Sequence, residues 1–341
     1  MIKIFTIHDK LEWISYVQKA AEYDFYHTWH YHTLETGGIP ILAVYQEHDD
    51  FIAVPLLRRA IPGSELFDLS CVYGYTGPFS NKKIEELDES LIRNFKRAFL
   101  QFLSDEKYVS VFIRMHPFFK QQLILEKFGG VFENGLTVVI DLSVSIKAQR
   151  EKYRQSTMDA VKHARKKGFV VKDKKDPEAI AVFVDIYHET MKRVGASDYY
   201  LFNEEYFARI LNTSEYDARL LTVYDGDKAI CSTIVTLTNG IIQAHLLGTR
   251  AEWLHHSPSK FLADEISIMG RSLGMHSYNL GGGLGFKEDA LFKWKLGFTD
   301  ICLPYKSWRY IANPCAYQEL LDEKNIDKTA DIDFFPLYRY A

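Results

Sequence analysis

The stretch that decides the fold reads Tyr278-Asn279-Leu280-Gly281-Gly282-Gly283 and continues a little later as Trp294-Lys295-Leu296-Gly297-Phe298. A β-like run ends in three glycines, and a short helix from about residue 289 then ends at a glycine-aromatic pair. Glycines after a strand remove side chains where a ligand or another backbone must come close. A glycine cluster alone is equally typical of an ordinary loop, so its surroundings have to decide.

The residues before this stretch predict an antiparallel meander followed by a helix. The Asn239-Gly240 pair is a strong hairpin signal between two β-branched runs. Ser257 and Pro258 predict the N-cap and first turn of a helix that Gly274 ends. The predicted strands cover residues 220–224, 229–238 and 241–247.

Two short sequence patterns, which we call echoes, occur in the same order in both halves of the chain. Residues 41–45 precede a polar turn and a return strand at 51–54, as residues 220–224 precede theirs. Residues 127–130 and 295–298 each combine lysine, an apolar residue and glycine at the close of a helical stretch. Two echoes in the same order predict a duplicated domain. Chance similarity between short apolar strands would give the same signal.

Helical periodicity fills the gaps between the predicted strands. Apolar residues recur at three- and four-residue spacing over 84–102, and Asp176-Pro177 opens another helix. A charged helix is predicted over 145–167, directly after a β-rich run. We therefore expect an α/β (α+β, mixed-sheet) fold of two domains, residues 1–142 and 143–341, the second beginning with a basic helix.

Composition excludes several classes of protein. The chain has 341 residues, is 47% apolar and carries a net charge of −4, which excludes a disordered chain and disfavours a dedicated non-specific nucleic-acid binder. Four scattered cysteines fit a reducing compartment, the N-terminus lacks the features of a secretory signal, and the longest uncharged run, 229–249, is too polar to span a membrane. We expect a cytoplasmic protein whose aromatic tail, 331–341, packs onto its body.

Common catalytic signatures do not match the chain. It has no G-x-S-x-G elbow, no H-E-x-x-H helix and no G-x-x-x-x-G-K-[ST] phosphate loop. His27, His30 and His32 lack the i, i+4 spacing of helical metal ligands. We therefore expect no metal site.

Two segments together resemble the FemABX-like branch of the GNAT superfamily. In that family the aromatic-lysine segment is usually Phe-Lys-x-x-Phe; here Trp294 replaces the first Phe, and Phe292-Lys293 is a competing register. The segment Tyr73-Gly74-Tyr75-Thr76-Gly77-Pro78 is similar to the Tyr-Gly-x-x-Gly-Pro segment of the first family domain. The C-terminal likeness runs through Gly248, Pro258, Leu262, Glu265, Gly274, Tyr278-Asn279-Leu280-Gly281-Gly282, Trp294-Lys295 and Gly297-Phe298.

The resemblance implies two tandem GNAT-like domains and an acyltransferase. Family members transfer an acyl group, often an amino acid from aminoacyl-tRNA, to an amine, as in peptidoglycan cross-bridges; others are acyl-CoA N-acyltransferases. Lys295 aligns with the family lysine and is the expected catalytic residue, although a solvated lysine at a helix end is the alternative. The expected substrate contacts include Gly248, Tyr278, Asn279, Tyr73 and Tyr75.

An anionic acceptor is implied by a further group. Thr190, Arg193 and Tyr206 resemble the Thr-x-Arg and aromatic pattern with which some family members hold a nucleotide-sugar diphosphate, although Arg193 is displaced by one position. An ordinary amphipathic helix end explains the same residues. His245 stands where relatives often place Tyr and is either a substrate contact or a core histidine.

The resemblance implies an acyl donor, aminoacyl-tRNA or acyl coenzyme A, as a co-substrate, and no tightly bound cofactor is expected. Basic residues between 150 and 175 suit either tRNA phosphates or a solvated helix, and no heptad run indicates a tRNA-binding arm. GNAT enzymes usually bind the coenzyme A pyrophosphate with R/Q-x-x-G-x-G/A. Ser257 and Ser259 stand there instead and flank Pro258, which removes an amide donor. This favours an aminoacyl donor or a specialised acyl donor over coenzyme A.

The expected function is therefore a FemABX-like aminoacyl- or acyl-transferase that forms an amide on an amine of a cell-envelope precursor or related sugar amine. Two alternatives stay open: an acyl-CoA-dependent GNAT N-acetyltransferase, and a non-catalytic nucleotide-sugar-binding protein with the same fold. The oligomeric state is not encoded in any pattern of the sequence.

Overall fold

The structure, a computed structural model, describes residues 1–326 and 332–340. Two compact units divide the chain: unit 1 comprises Met1–Gly135 with Pro304–Ala341, and unit 2 comprises Leu136–Leu303. Within the described residues, no helix combines the length and apolar composition needed to cross a membrane.

The strands in chain order are β1 (Lys3–Thr6), β2 (Ile39–Glu47), β3 (Asp50–Ala60), β4 (Phe67–Ser70), β5 (Phe79–Ser80), β6 (Tyr108–Arg114), β7 (Val131–Asp141), β8 (Val170–Asp173), β9 (Asp217–Asp225), β10 (Lys228–Thr238), β11 (Ile241–Thr249), β12 (Ser277–Gly281) and β13 (Cys302–Ile311).

The α-helices are α1 (Lys10–Lys19), α2 (Trp29–His32), α3 (Glu89–Asp105), α4 (Gln122–Leu125), α5 (Ile146–Glu151), α6 (Gln155–Lys167), α7 (Pro177–Val194), α8 (Glu204–Leu211), α9 (Pro258–Ser272), α10 (Ala290–Lys295) and α11 (Pro314–Glu323). Short 3₁₀ turns lie between them, at Phe25–His27, Ile84–Glu86, Glu126–Phe128, Asp198–Tyr200, Ala251–His256, Leu284–Phe286 and Leu337–Arg339.

Unit 1 is built on a mixed sheet with strand order β1-β2-β3-β4-β6-β13. All neighbouring pairs are antiparallel except β4 and β6, which are parallel. Side chains of β2 alternate between the two faces: Ile41 and Ala43 pack in the cluster that contains Phe95 and Phe99 of α3, while Leu42 and Val44 pack on the opposite face. Both faces of the sheet are therefore covered.

Unit 2 repeats this architecture with strand order β8-β9-β10-β11-β12-β7. Again one pair, β11 with β12, is parallel and the others are antiparallel. Leu42 and Leu221, the residues of the first sequence echo, lie in the equivalent strands β2 and β9. The α/β fold with mixed sheets and the internal duplication are confirmed.

Local signals fixed several elements of unit 2. Asn239 and Gly240 both adopt positive φ, 49° and 80°, as a tight hairpin turn between β10 and β11 requires. The Asp176 carboxylate accepts a hydrogen bond from the Ala179 amide at 3.0 Å and caps α7 directly before Pro177. These are the turn and the helix start predicted from sequence.

Three local predictions need correction. The helix predicted over 145–167 is two helices, α5 and α6, because the chain turns between them and the Arg154 amide bonds to the Gly297 carbonyl at 3.0 Å. Ser257 precedes α9 as predicted, but its φ of 50° is left-handed and its side chain accepts no capping bond. The region 84–102 begins with a 3₁₀ turn, and α3 starts at Glu89.

The C-terminal segment also differs from the predicted domains of 1–142 and 143–341. Strand β13 pairs with β6 and supplies the sixth strand of unit 1, as β7 does for unit 2. The tail adds to the same unit: Tyr338 is fully buried, and its hydroxyl lies 2.9 Å from Asp68 and 2.8 Å from Ser110. The tail's predicted end residues, Asp331 and Ala341, lie outside the described residues.

Candidate functional site

The candidate site of unit 2 is the place where two parallel strands separate. Strands β11 and β12 pair only from Ile241 with Ser277 to Gln243 with Asn279. Both strands lie wholly in the described part of the chain, and no pair follows. The register of β11 against β10 jumps at the same level, leaving His245 as the extra residue of a β-bulge. We call the opening beyond Gln243 and Asn279 the β11–β12 cleft, because the pairing of the two strands ends at these residues.

Asn279 fixes the closed end of this cleft. Its side chain is fully buried and donates to the Gln243 side-chain oxygen at 2.8 Å, while its own oxygen accepts from the Gly281 amide at 3.0 Å. One side chain therefore joins the last paired residue of β11 to the point where β12 turns away.

Lys295 lies at the glycine-rich end of β12. Its ammonium donates to the Gly282 carbonyl at 2.5 Å. The glycines permit this close turn, because a Cβ on Gly283 would lie 2.1 Å from the Lys287 carbonyl oxygen. Asp289 caps α10 by accepting from the Phe292 amide at 2.8 Å. The helix thus holds Lys295 against the loop that leaves the cleft.

The electrostatics of Lys295 suit a charge-stabilising role. Burial lowers the pKa of Lys295 to about 8, and the Asp289 carboxylate partly opposes this. At pH 7 the group is still mostly an ammonium, and it has lost much of its hydration. Such a cation can donate to a developing oxyanion without much reorganisation of solvent.

Thr190 and Arg193 meet at the far end of β11. The Thr190 hydroxyl accepts from the Thr249 amide at 2.9 Å, and the Arg193 guanidinium donates to the Thr249 carbonyl at 3.0 Å. Arg193 also donates to the Thr190 hydroxyl at 3.3 Å. The structure brings the two predicted residues together, and their contacts here hold the end of the strand that borders the cleft.

Gly248 has a packing reason of its own. A Cβ at this position would lie 2.8 Å from the Ile186 carbonyl oxygen and 2.9 Å from the Tyr187 Cα. Both are backbone atoms of α7, so no side chain fits between this helix and β11. The glycine sets how closely α7 approaches the cleft edge.

The remaining predicted substrate contacts of unit 2 are mostly buried. His245 is buried, and its burial lowers the pKa of the ring to about 3, so the imidazole is neutral. Tyr278 lies in the hydrophobic core beside Leu280, where burial raises its pKa. Tyr206 is half-buried and stacks on Phe202 with ring centroids 4.2 Å apart.

Tyr73 and Tyr75 belong to unit 1, in the loop that follows β4. Tyr75 is buried against the rings of Tyr26, His116 and Tyr305. The same loop returns to the sheet, where the Thr76 amide donates to the Arg114 carbonyl at 2.8 Å. In unit 1 the loop after β4 therefore pairs with the end of β6, the strand that is equivalent to β12 of unit 2.

Ser257 and Ser259 flank the start of α9. Pro258 has no amide hydrogen, and the Lys260 amide is occupied by the Ser257 carbonyl at 3.0 Å. This helix start therefore offers few free amides to a pyrophosphate. In the part of the chain that the structure describes, no group of three or more His, Cys, Asp or Glu side chains is arranged to hold a metal ion.

Sequence reasoning missed the buried carboxylate that ties α9 to the helices before it. Asp264 is fully buried and accepts hydrogen bonds from Arg150, at 3.0 and 2.6 Å, from Arg165 at 2.9 Å and from Tyr153 at 3.0 Å. The signal in the sequence was an aspartate on the apolar face of α9. Arg150 and Arg165 were not recognised as its partners, because they belong to the basic residues between 150 and 175, which were assigned to a helix surface.

Comparison with known proteins defines the class. Residues 151–295 match the family model described as an acetyltransferase (GNAT) domain. This segment contains the β11–β12 cleft and ends at Lys295. No curated protein sequence matches the chain.

Solved structures share the fold over most of the chain. The structure described as FemX has a TM-score of 0.69 at 13% identity, covering 94% of this chain and 99% of its own. L-PGS from Bacillus licheniformis has a TM-score of 0.54 at 12% identity, covering 80% and 84%. A conserved protein of unknown function from Bacteroides thetaiotaomicron has a TM-score of 0.57 at 12% identity, covering 91% and 100%.

The chain therefore carries a GNAT domain within a FemX-like fold, and the predicted likeness to the FemABX-like branch of the GNAT superfamily is confirmed. The same findings support the prediction of an acyltransferase.

Proposed function

We propose that this protein is a FemABX-like aminoacyl- or acyl-transferase that forms an amide on an amine of a cell-envelope precursor or related sugar amine. The observation that carries the proposal is the hydrogen bond from the Lys295 ammonium to the Gly282 carbonyl at 2.5 Å, three residues after Asn279, where the pairing of β11 with β12 ends. The FemX and L-PGS folds, together with the GNAT match, support the same class of chemistry.

The proposed reaction needs an open strand edge and a cation. The acceptor nitrogen attacks the acyl carbonyl carbon and loses a proton, and the bond from that carbon to the carrier oxygen or sulfur breaks. The carrier leaves as an alcohol or a thiol, which takes up one proton. In this proposal, backbone groups around residues 246–248 and near Asn279 hold the acyl group. The Lys295 ammonium stabilises the oxyanion, which in comparable sites contributes about 3–4 kcal/mol.

Neutral His245 suits the cleft wall better than a proton-transfer role. With its pKa near 3, the imidazole is a weak base for an amine proton at neutral pH. We place it, with Gly248, Tyr278 and Asn279, among the groups that shape the acyl-binding wall. Thr190 and Arg193, with Tyr206, are proposed to contact the acceptor. Tyr73 and Tyr75 of unit 1 stay separate proposed substrate contacts.

An aminoacyl-tRNA donor is favoured over acyl coenzyme A by the start of α9. Pro258 and the occupied Lys260 amide leave few donors for a pyrophosphate. The GNAT match keeps an acyl-CoA-dependent N-acetyltransferase as the second candidate. All four cysteines are unpaired, which fits reaction in the cytoplasm.

A panel of donors and acceptors tests the proposal. The purified chain is incubated with charged tRNA or acetyl coenzyme A and with a UDP-linked muropeptide or an amino sugar, and products are detected by mass spectrometry. We expect an amide product from charged tRNA. Acetylation from coenzyme A alone would select the second candidate, and tight nucleotide-sugar binding without turnover of any donor would refute an enzyme.

A further inference from the structure

A cavity of unit 2 lies beside α10, on elements other than the strands of the β11–β12 cleft. Its volume is about 520 Å³. The residues that line it come from β7, from the turn between α5 and α6, and from residues 288–302 around α10. A cavity of this size is in the range of small-molecule sites. We call it the α10 cavity.

Part of the lining of the α10 cavity is apolar. Leu136 of β7, Phe292 of α10 and Leu296 face it, and all three belong to the hydrophobic core of unit 2 or pack against it. Cys302 adds a thiol, whose pKa is raised by partial burial and by the nearby carboxylates. The thiol is therefore protonated at neutral pH and behaves as a further small apolar group.

Four charged side chains also line the α10 cavity: Lys152, Arg154, Glu288 and Asp300. Lys152 and Asp300 form an ion pair at 2.9 Å. The hydrogen bond from Lys152 holds the pKa of Asp300 below its usual value, so that both groups are charged at neutral pH. These two charges balance each other.

Arg154 and Glu288 are the charges that lack such a balance. Across residues 1–326 and 332–340, neither of them makes an ion pair. The Arg154 guanidinium donates to the Lys293 carbonyl at 3.0 Å, which ties it to α10. Because a guanidinium has several N–H donors, this bond leaves others for a carboxylate. The α10 cavity thus offers one cation, one carboxylate and an apolar wall.

We propose that the α10 cavity binds a zwitterion with an apolar side chain, either a free amino acid or a short apolar peptide. The ligand carboxylate pairs with Arg154, the ligand ammonium pairs with Glu288, and the apolar side chain lies against Phe292. A ligand with a net charge is attracted by one of the two charged residues and repelled by the other, whereas a zwitterion satisfies both. This inference goes beyond the proposed function and does not depend on it, because the cavity lies on other residues than the cleft.

The two ligand sources are distinguished by isothermal titration of the full chain with L-leucine and with the dipeptide leucyl-leucine. The tighter of the two identifies the source. Two truncated probes test the need for both charges: isocaproate is leucine without its amino group, and isopentylamine is leucine without its carboxylate. We expect each truncated probe to bind about three- to tenfold more weakly than leucine, because each loses one charged hydrogen-bond partner.

The variants Arg154→Gln and Glu288→Gln remove the two protein charges one at a time. Lys162→Gln and Glu151→Gln are the matched controls, since both residues are exposed in unit 2 and lie outside the cavity lining. Each test variant should bind leucine and the dipeptide about three- to tenfold more weakly, and each control should differ by less than about 1.5-fold, because solvent and salt screen distant exposed charges. Melting temperatures confirm that every variant is folded.

The assignment of each charge to its partner is tested by combining probes and variants. Glu288→Gln should not weaken the binding of isocaproate further, and Arg154→Gln should not weaken that of isopentylamine, because the ligand group in question is already absent. Leucine and dipeptide affinities that both test variants leave unchanged, truncated probes that bind as tightly as leucine, or no binding of leucine or the dipeptide up to about 10 mM would overturn the inference. If every donor fails in transfer while zwitterion binding still depends on Arg154 and Glu288, the proposed function fails and this site stands.

Discussion

Replacing Asp264 by alanine should unfold unit 2 at a much lower temperature. The substitution removes a buried carboxylate that accepts four hydrogen bonds. Arg150, Arg165 and the Tyr153 hydroxyl then lose the acceptor to which they donate. Arg150 and Arg165 are partly exposed, so water can hydrate them in part, but Tyr153 is buried. Breaking one side of such a buried network costs about 3–5 kcal/mol, which corresponds to about 6–20 °C in Tm for a domain of this size.

The stability that Asp264→Ala loses relative to the wild type depends on pH. Burial alone would raise the pKa of Asp264, but hydrogen bonds from Arg150 and Arg165 outweigh it and hold the pKa below 3.8. The ionised carboxylate therefore adds stability that is present above the unfolded pKa and is lost as pH falls through the folded one. The gap between the wild type and Asp264→Ala should narrow in acid.

Denaturant and thermal unfolding, followed by circular dichroism from neutral to acid pH, measure both effects. Asp159→Ala is the matched control, because Asp159 is exposed on α6, where its carboxylate accepts a hydrogen bond from the Gln155 side chain at 2.7 Å. Asp159→Ala should change the free energy of unfolding by less than about 0.5 kcal/mol. If Asp264→Ala lowered the free energy of unfolding by less than about 1 kcal/mol at neutral pH, the carboxylate would not be a main link between α9 and the helices before it.

Three further outcomes are expected. Gly248→Ala should destabilise unit 2 by about 1–3 kcal/mol in chemical unfolding, since the new Cβ meets the α7 backbone at 2.8 Å; equal stability would mean that this helix moves freely. Because the pKa of Lys295 is about 8, kcat/KM of the wild type should fall above that pH. The kcat/KM of Lys295→Arg should be lower but should not change with pH in this range, since arginine keeps its charge. Identical pH profiles of the two proteins would argue against a charged Lys295. Tyr338→Phe should cost about 1–3 kcal/mol of unit 1 stability, as Asp68 loses a donor; no change would show the tail bond to be dispensable.

Short-range signals in the sequence predicted the local elements well. Asn239-Gly240 defined the β10–β11 hairpin, and Asp176-Pro177 defined the start of α7, because the requirements of a tight turn or a helix start are met by a few adjacent residues. The echo between residues 41–45 and 220–224 corresponds to equivalent strands of the two units.

Features that depend on partners distant in sequence were not predictable in the same way. The break between α5 and α6 coincides with the hydrogen bond from the Arg154 amide to the Gly297 carbonyl. Strand β13 belongs to the sheet of unit 1 because it pairs with β6. Neither partner is visible in a local pattern. The bulge at His245 likewise appears only once β10 and β11 are aligned, although it coincides with the opening of the cleft.

Turnover by Lys295→Met with a donor and acceptor that the wild type uses tests the central claim most directly. Methionine keeps much of the side-chain volume and removes the charge that faces the Gly282 carbonyl. We expect kcat to fall by about 10²–10³-fold, with donor binding and Tm close to wild type. Turnover equal to that of the wild type in a folded Lys295→Met protein would contradict the claim that this ammonium stabilises the oxyanion.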